Sequence, residues 1–240
     1  MRPQFEDIVS ALGLAVWAGQ ALWDYLDELI TVKERGPGGS GVLSRLVGEI
    51  DEDGDLTRED LVRIALALLI GGHDTTSQMI ALGVVTLLEH PDRLAALRAD
   101  PGVLPAAVDE LLRMVSVTDV SGVRVATEDI DIDGPVIRAG EGVLVSSSMT
   151  DRDPAVFPDP YRFDVRRADG RNAASGRHHL TFGFGIHQCL GQNLARTELE
   201  VAFAVLFDRI PDLRLTVPPD RLPARGGGTM QGVHTLPVEW

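Results

Sequence analysis

At 240 residues, 44% of them apolar, the chain is long enough to bury one large core. Its 36 acidic and 22 basic side chains give a net charge of −14, which argues against nucleic acid and anionic membrane surfaces as partners. A single cysteine excludes an internal disulfide and suits a reducing compartment.

Residues 8–23, IVSALGLAVWAGQALW, carry no charge. Glu6 and Asp7 deny them the positive flank of a signal peptide, and no stretch reaches the ~18 apolar residues of a membrane span. Phe5, Ile8, Val9, Leu12 and Val16 recur at helical spacing, so the segment reads as an amphipathic or buried helix of a cytoplasmic protein. One or two helices fill the stretch before RGPGGSG, residues 35–41, a loop or short linker. GVLSRLVGEI reads as a further helix. DEDGD, residues 51–55, starts like a calcium loop, but Leu56 and Val62 stand where that loop needs Gly and Glu; it reads as a solvated acidic turn.

Thr57 and Asp60 resemble a capping box opening a long helix over about residues 57–90, which Pro91 stops. About 33 residues at ~1.5 Å each would cross a whole domain. Residues 61–70 are apolar nearly all round, as in a buried central helix. Pro91 opens a short helix to about Ala99, and Pro105 opens PAAVDELLRMV. From Val123, VRVATEDIDIDGPVIRAGEGVLVSS alternates as short strands and hairpins. DRDPAVFPDPYRFDVRR is irregular. Residues 192–210 form the last strong helix, ended by Pro211, and the tail reads as hairpins.

Three places carry chemistry. Cys189 sits in TFGFGIHQCLG, residues 181–191, directly before a helix whose N–H groups and positive dipole end would stabilise a thiolate. Gly185 and Gly191 permit positive φ or the close approach of a flat ligand. The local residues leave three readings open: an inert buried thiol, a metal thiolate, and a nucleophile paired with His187. GGHDTT, residues 71–76, breaks the long helix's pattern. Gly71 and Gly72 either pack against another helix or leave room for a flat group; Asp74 and Thr75 supply an acid and a hydroxyl, or Asp74 simply forms a salt bridge. Glu110 and Arg113 are within reach of each other on one helix, and Arg162 is expected to join them in a structural ion-pair network.

Together these motifs resemble the cytochrome P450 family. Phe182, Gly185, Cys189 and Gly191, spaced F-x-x-G-x-x-x-C-x-G, resemble its heme-binding signature. GGHDTT resembles its central distal helix with the acid–alcohol pair, and Glu110, Arg113 and Arg162 resemble its Glu-Arg-Arg triad. DRDPAVFPDPYRF resembles the meander before the cysteine loop, and GVHTLPVEW a family C-terminus. The order and spacing agree with soluble bacterial members.

The resemblance implies a mainly α cytochrome P450 fold with small β-sheets, N-terminally truncated, as one heme-thiolate domain fragment over residues 1–240. It implies heme b, with Cys189 as the thiolate ligand that favours O–O cleavage. Asp74 and Thr75 would relay protons. Phe182 would pack near the loop and the heme. Arg124 and His187 would meet the heme propionates, with Gly185 and Gly191 shaping the loop, while His178 and His179 read as solvated. The implied activity is insertion of one oxygen atom of O2 into a small organic substrate. Electrons would come from a ferredoxin-type donor, since no flavin or nicotinamide motif is present. The family's early helices are missing from this chain, which raises a second reading: a truncated, catalytically inactive relative acting as a partner or scaffold. A Cys–His hydrolase is a third. Val117, the Met149-Thr150-Asp151 stretch and Gly71 depart from the commoner Pro, small-plus-Asn and Ala of the family.

Overall fold

A computed structural model describes residues 5–36, 39–50, 56–167, 179–225 and 230–240. The acidic turn at 51–55, His178, and the side chains behind the helical spacing of Phe5 to Val16 lie outside the described residues. Contacts group the chain into two units, Met1–His73 and Asp74–Trp240, and the boundary falls inside helix α3 (Arg58–Glu89).

In the first unit a single helix, α1 (Phe5–Arg35), precedes the linker, and a short α2 (Val42–Val47) follows it. The capping box forms as the sequence predicts: Asp60 N donates to Thr57 Oγ1 at 3.2 Å, and Thr57 N donates to Asp60 Oδ2 at 3.1 Å. Leu26 and Ile30, one turn apart on α1, bury against Leu61, Val62 and Ala65 of α3. Arg58 ties the two helices, donating to Asp27 Oδ1 at 2.9 Å and to the Asp27 carbonyl at 2.8 Å. The expectation of an all-round buried helix over residues 61–70 fails at its end. Leu68, Leu69 and Ile70 are exposed, and among the described residues the side chains gathered around α1 and α2 reach only to Leu66.

The second unit is built on the rest of α3, with α4 (Pro91–Ala99), α5 (Leu104–Val115) and α7 (Gln192–Arg209). Proline in the first turn of α4 and α5 supplies a preset φ where its missing N–H costs nothing. The buried face of α5 is Ala107, Val108, Leu111 and Leu112, and that of α7 is Leu199, Phe203 and Phe207, both at helical spacing. These two stripes and Val84 and Leu87 of α3 form one core. Gly83 lets α3 meet α7: a Cβ there would lie 2.5 Å from the Phe203 ring. No alternative residue fits without displacing that ring.

Small antiparallel ribbons complete the unit. β1 (Val120–Val125) pairs with β4 (Gly142–Ser146) through Val123↔Leu144 and Arg124↔Val143, with an irregularity between Val120 and Val123. β2 (Ile130–Asp131) pairs with β3 (Val136–Ile137). The single turn α6 (Ser147–Thr150) follows β4 directly. The tail has fewer strands than its pattern suggests: β5 (Arg214–Leu215) pairs with β6 (Val238–Glu239), and isolated bridges join Ala224 to Val233 and Thr118 to Met230. Among the described residues no helix is long and apolar enough to cross a membrane.

Candidate active site

The cysteine loop is shaped by its glycines. Gly183 and Gly185 have φ of 72° and 84°, where an L side chain is strained, and no heavy atom lies within 4 Å of a Cβ built on either. Cys189 N donates to the Phe182 carbonyl at 2.9 Å, and Gln188 N to that of Gly185 at 3.1 Å. The loop thus closes on itself and turns its side chains outward. Cys189 is exposed, and Phe184, Ile186 and Leu190 are 88%, 96% and 94% exposed. Gly191 plays a different part from Gly185. It is the N-cap of α7 at φ −81°, so its backbone does not require glycine, and a Cβ there would sit 3.9 Å from Cys189 Sγ. No side chain caps α7, and its first N–H, that of Gln192, donates to the Cys189 carbonyl at 3.4 Å.

Beneath this loop lies a buried charge network. Arg113 is 1% exposed and engages four of its five N–H donors. Nε and Nη2 reach the two oxygens of Glu110 at 2.8 and 2.9 Å, and Nη1 reaches the carbonyls of Asp151 and Pro160 at 2.7 and 2.9 Å. The third member is Arg167, not Arg162. Arg167 Nε lies 3.0 Å from both oxygens of Glu110, and its side chain is 10% exposed, whereas that of Arg162 is 57% exposed and reaches only Asp164 at 3.7 Å. The sequence places both arginines in one irregular segment, and only the turn at Asp164–Arg167 decides which one faces inward.

Asp151 carries the network to the loop. Its carboxyl accepts from Leu180 N at 2.6 Å and from Thr181 Oγ1 at 3.1 Å. Burial pushes its pKa above the ordinary 3.8, against the lowering influence of the Leu180 N–H, His179, Thr181 and Arg113. His179 is buried rather than solvated, with Nε2 3.4 Å from Asp109 Oδ1, the same oxygen that takes Arg196 Nε at 2.7 Å. Burial raises the Asp109 carboxyl, but the hydrogen bonds from His179 and Arg196 outweigh it and hold the group below its usual value. Phe182 is half-buried beside this cluster, with the Arg196 guanidinium 4.7 Å from its ring centroid.

Asp74 and Thr75 are half-buried on α3. Asp74 forms a salt bridge, one of the two roles its sequence context allows, with Arg225 Nη1 at 2.8 and 2.9 Å from its two oxygens. Arg225 lies 151 residues downstream, and no local pattern marks it as a partner. Among the described residues nothing packs on Gly71 or Gly72 where a side chain would stand, since a Cβ at either would meet no atom within 4 Å. Arg124 on β1 and His187 in the turn Gly185–His187 are exposed, and neither forms an ion pair among the described residues. The cysteine loop itself offers an exposed thiol, a glycine turn without side chains at Gly183 and Gly185, and exposed apolar side chains at Phe184, Ile186 and Leu190, a lining that fits a flat apolar group held by sulfur.

Comparison with known proteins agrees. The family model for cytochrome P450 matches residues 40–221. Cytochrome P450 105A3 of Streptomyces carbophilus is 56% identical over 216 residues, covering 90% of this chain and 51% of that protein. The vitamin D3 dihydroxylase of Streptomyces griseolus is 51% identical over 226 residues, or 94% of this chain and 54% of that protein. The crystal structure of cytochrome P450 MoxA from Nonomuraea recticatena superposes with a TM-score of 0.84 at 48% identity, over 100% of this chain and 56% of that one. The chain spans about half the length of the curated relatives it matches.

Two predictions follow from the network. Arg167→Ala is expected to cost about 2–4 kcal/mol in urea unfolding, because it strips a donor from a buried carboxylate, while Arg162→Ala stays within about 0.5 kcal/mol. Equal costs would contradict the assignment of Arg167. For Asp151 the folded-state pKa lies above the unfolded one, so the unfolded chain releases its proton first. Stability from this group therefore falls as pH rises from 3.8 to the raised value, and stays lost above it. Asp151→Asn keeps an oxygen for Leu180 N. It is expected to remove that decline and to match or exceed the parent's stability at neutral pH, measured by urea unfolding across a pH series. A variant clearly less stable at neutral pH would contradict this.

Proposed function

The chain belongs to the cytochrome P450 family, and we propose that it is the heme-thiolate part of a monooxygenase acting on a small organic substrate. The observation that carries the proposal is the exposed Cys189 sulfur on a loop whose glycines leave its surface bare. Relatives named vitamin D3 dihydroxylase and pentalenic acid synthase support oxidation of an organic molecule. In the balanced reaction, one oxygen atom of O2 enters the substrate and the other leaves as water, using two electrons and two protons. We assign the electrons to a ferredoxin-type donor, and a cytoplasmic setting suits the one free thiol. Heme bound through the thiolate would supply an iron centre for activating O2, with electron density donated by the sulfur.

The chain's own residues do the rest. Cys189 Sγ would ligate the metal, at the start of α7, which no side chain caps. Gly183 and Gly185 leave open space on the loop between the exposed apolar side chains of Phe184, Ile186 and Leu190, where a flat group can approach. Arg124 and His187 would be the residues to hold the propionate carboxylates, by charge-assisted hydrogen bonds. Phe182, fixed between Arg196 and His179, buttresses the loop from within. Asp74 and Thr75 hold and pass protons from α3, the carboxylate as acceptor and donor and the hydroxyl as a rotating relay.

The test is the absorption spectrum of the chain loaded with heme, reduced and exposed to carbon monoxide. A strongly red-shifted Soret band that disappears in Cys189→Ala is expected. Its absence from the parent chain, or its persistence in the variant, would overturn the assignment of Cys189.

A further inference from the structure

The least explained group in the second unit is Arg225. Its Nη1 reaches both oxygens of Asp74, yet its Nε is buried with no hydrogen-bond partner among the described residues. A buried donor left unsatisfied is costly and calls for a reason. The surrounding backbone supplies the geometry. Ala224 and Val233 form an antiparallel bridge, and Arg225 N donates to the Gly232 carbonyl at 2.9 Å. The opposite strand of this pair is gripped by α3: Val233 N donates to Gln78 Oε1 at 2.8 Å, and a Cβ on Gly232 would lie 2.2 Å from that same oxygen. Asp74 and Gln78 are four residues apart, hence on one face of α3. The helix face therefore holds the tail at two successive turns, by a backbone anchor at Gln78 and by a charge at Asp74.

We propose that Arg225 is the positioning residue for Asp74, the fixed countercharge through which the tail aims the relay carboxylate. A helix side chain at the surface can occupy several rotamers, and a relay needs one. The Gln78 anchor sets the depth of the tail, the Ala224–Val233 bridge sets the direction of Arg225, and Arg225 holds both oxygens of Asp74. Because one nitrogen serves both oxygens, each retains lone pairs for a second donor, as a relaying carboxylate requires. The guanidinium is held for aim at the expense of Nε. This role rests on the relay assigned to Asp74 above.

Two readouts test it. In the heme-loaded chain, oxidation of a fluorogenic coumarin ether is driven either by O2 with a ferredoxin system or by hydrogen peroxide, which already carries the two electrons and two protons. Arg225→Gln is expected to lower the O2-driven rate about tenfold or more, with KM little changed and the peroxide-driven rate within about twofold. Arg225→Lys should restore most of the loss, and Asp74→Asn with Arg225→Gln should be no worse than Asp74→Asn alone. Equal loss by both routes, or no loss, would overturn the proposal. If the parent chain shows no thiolate-type spectrum, the functional reading fails instead, and the unloaded chain decides the positioning. There the Asp74–Arg225 double-mutant cycle in urea should give a coupling of about two- to fivefold in the folding equilibrium. The Asp74 carboxyl carbon resonance should also move in Arg225→Gln and stay near its place in Arg225→Lys. No coupling and an unmoved resonance would overturn it.

Discussion

One fully buried guanidinium organises the second unit. Arg113 takes both oxygens of Glu110 from its own helix and two backbone carbonyls, of Asp151 and Pro160, from a segment 38 to 47 residues away. Burying such a charge is expensive, and replacing an ion network by apolar groups is often neutral or stabilising. Its value lies in geometry. The planar fork accepts only a few arrangements of its partners, so the irregular segment after α6 is held in one conformation that hydrophobic contact alone would leave loose.

That conformation reaches the cysteine turn in two steps. Arg113 fixes the Asp151 backbone, and the Asp151 carboxyl fixes Leu180 N and Thr181 Oγ1, the first residues of the loop. The loop then closes through Cys189 N on the Phe182 carbonyl and passes into α7. At its other side, α7 is locked to α5 by Arg196 on Asp109 and to α3 by Phe203 over Gly83. Cys189 thus belongs to a short turn restrained at its start by Asp151 and at its end by the Phe182 carbonyl. Such restraint suits the ligand role proposed for Cys189, because a metal ligand that relaxes loses both affinity and directionality.

Much of this is legible in the sequence, for identifiable reasons. Helices with clear periodicity and proline starts, such as α4 and α5, appear where predicted, because local propensity and core burial agree there. The Glu110–Arg113 pair is legible since three residues on a helix fix the distance. Arg167 is not, since a Pro- and Asp-rich segment has no period from which to infer which arginine turns inward. Nor are Arg225 as the partner of Asp74 or the burial of His179: both depend on long-range placement, and a surface residue looks the same in sequence as a buried one that has found a partner. The breaks in the α3 pattern at Gly71 and Gly72 meet no close neighbour among the described residues, while Gly83, which fits the pattern unremarkably, packs against Phe203.

The claim on which the rest depends is that Arg113 holds the cysteine loop through Asp151. Native-state hydrogen exchange at the Leu180 and Cys189 amides, in the parent and in Arg113→Lys, tests it most directly. The account predicts that both amides lose protection together by about tenfold or more, while those of Phe203 and Phe207 in α7 stay protected. Leu180 and Cys189 exchanging at the parent rate in the variant would contradict it.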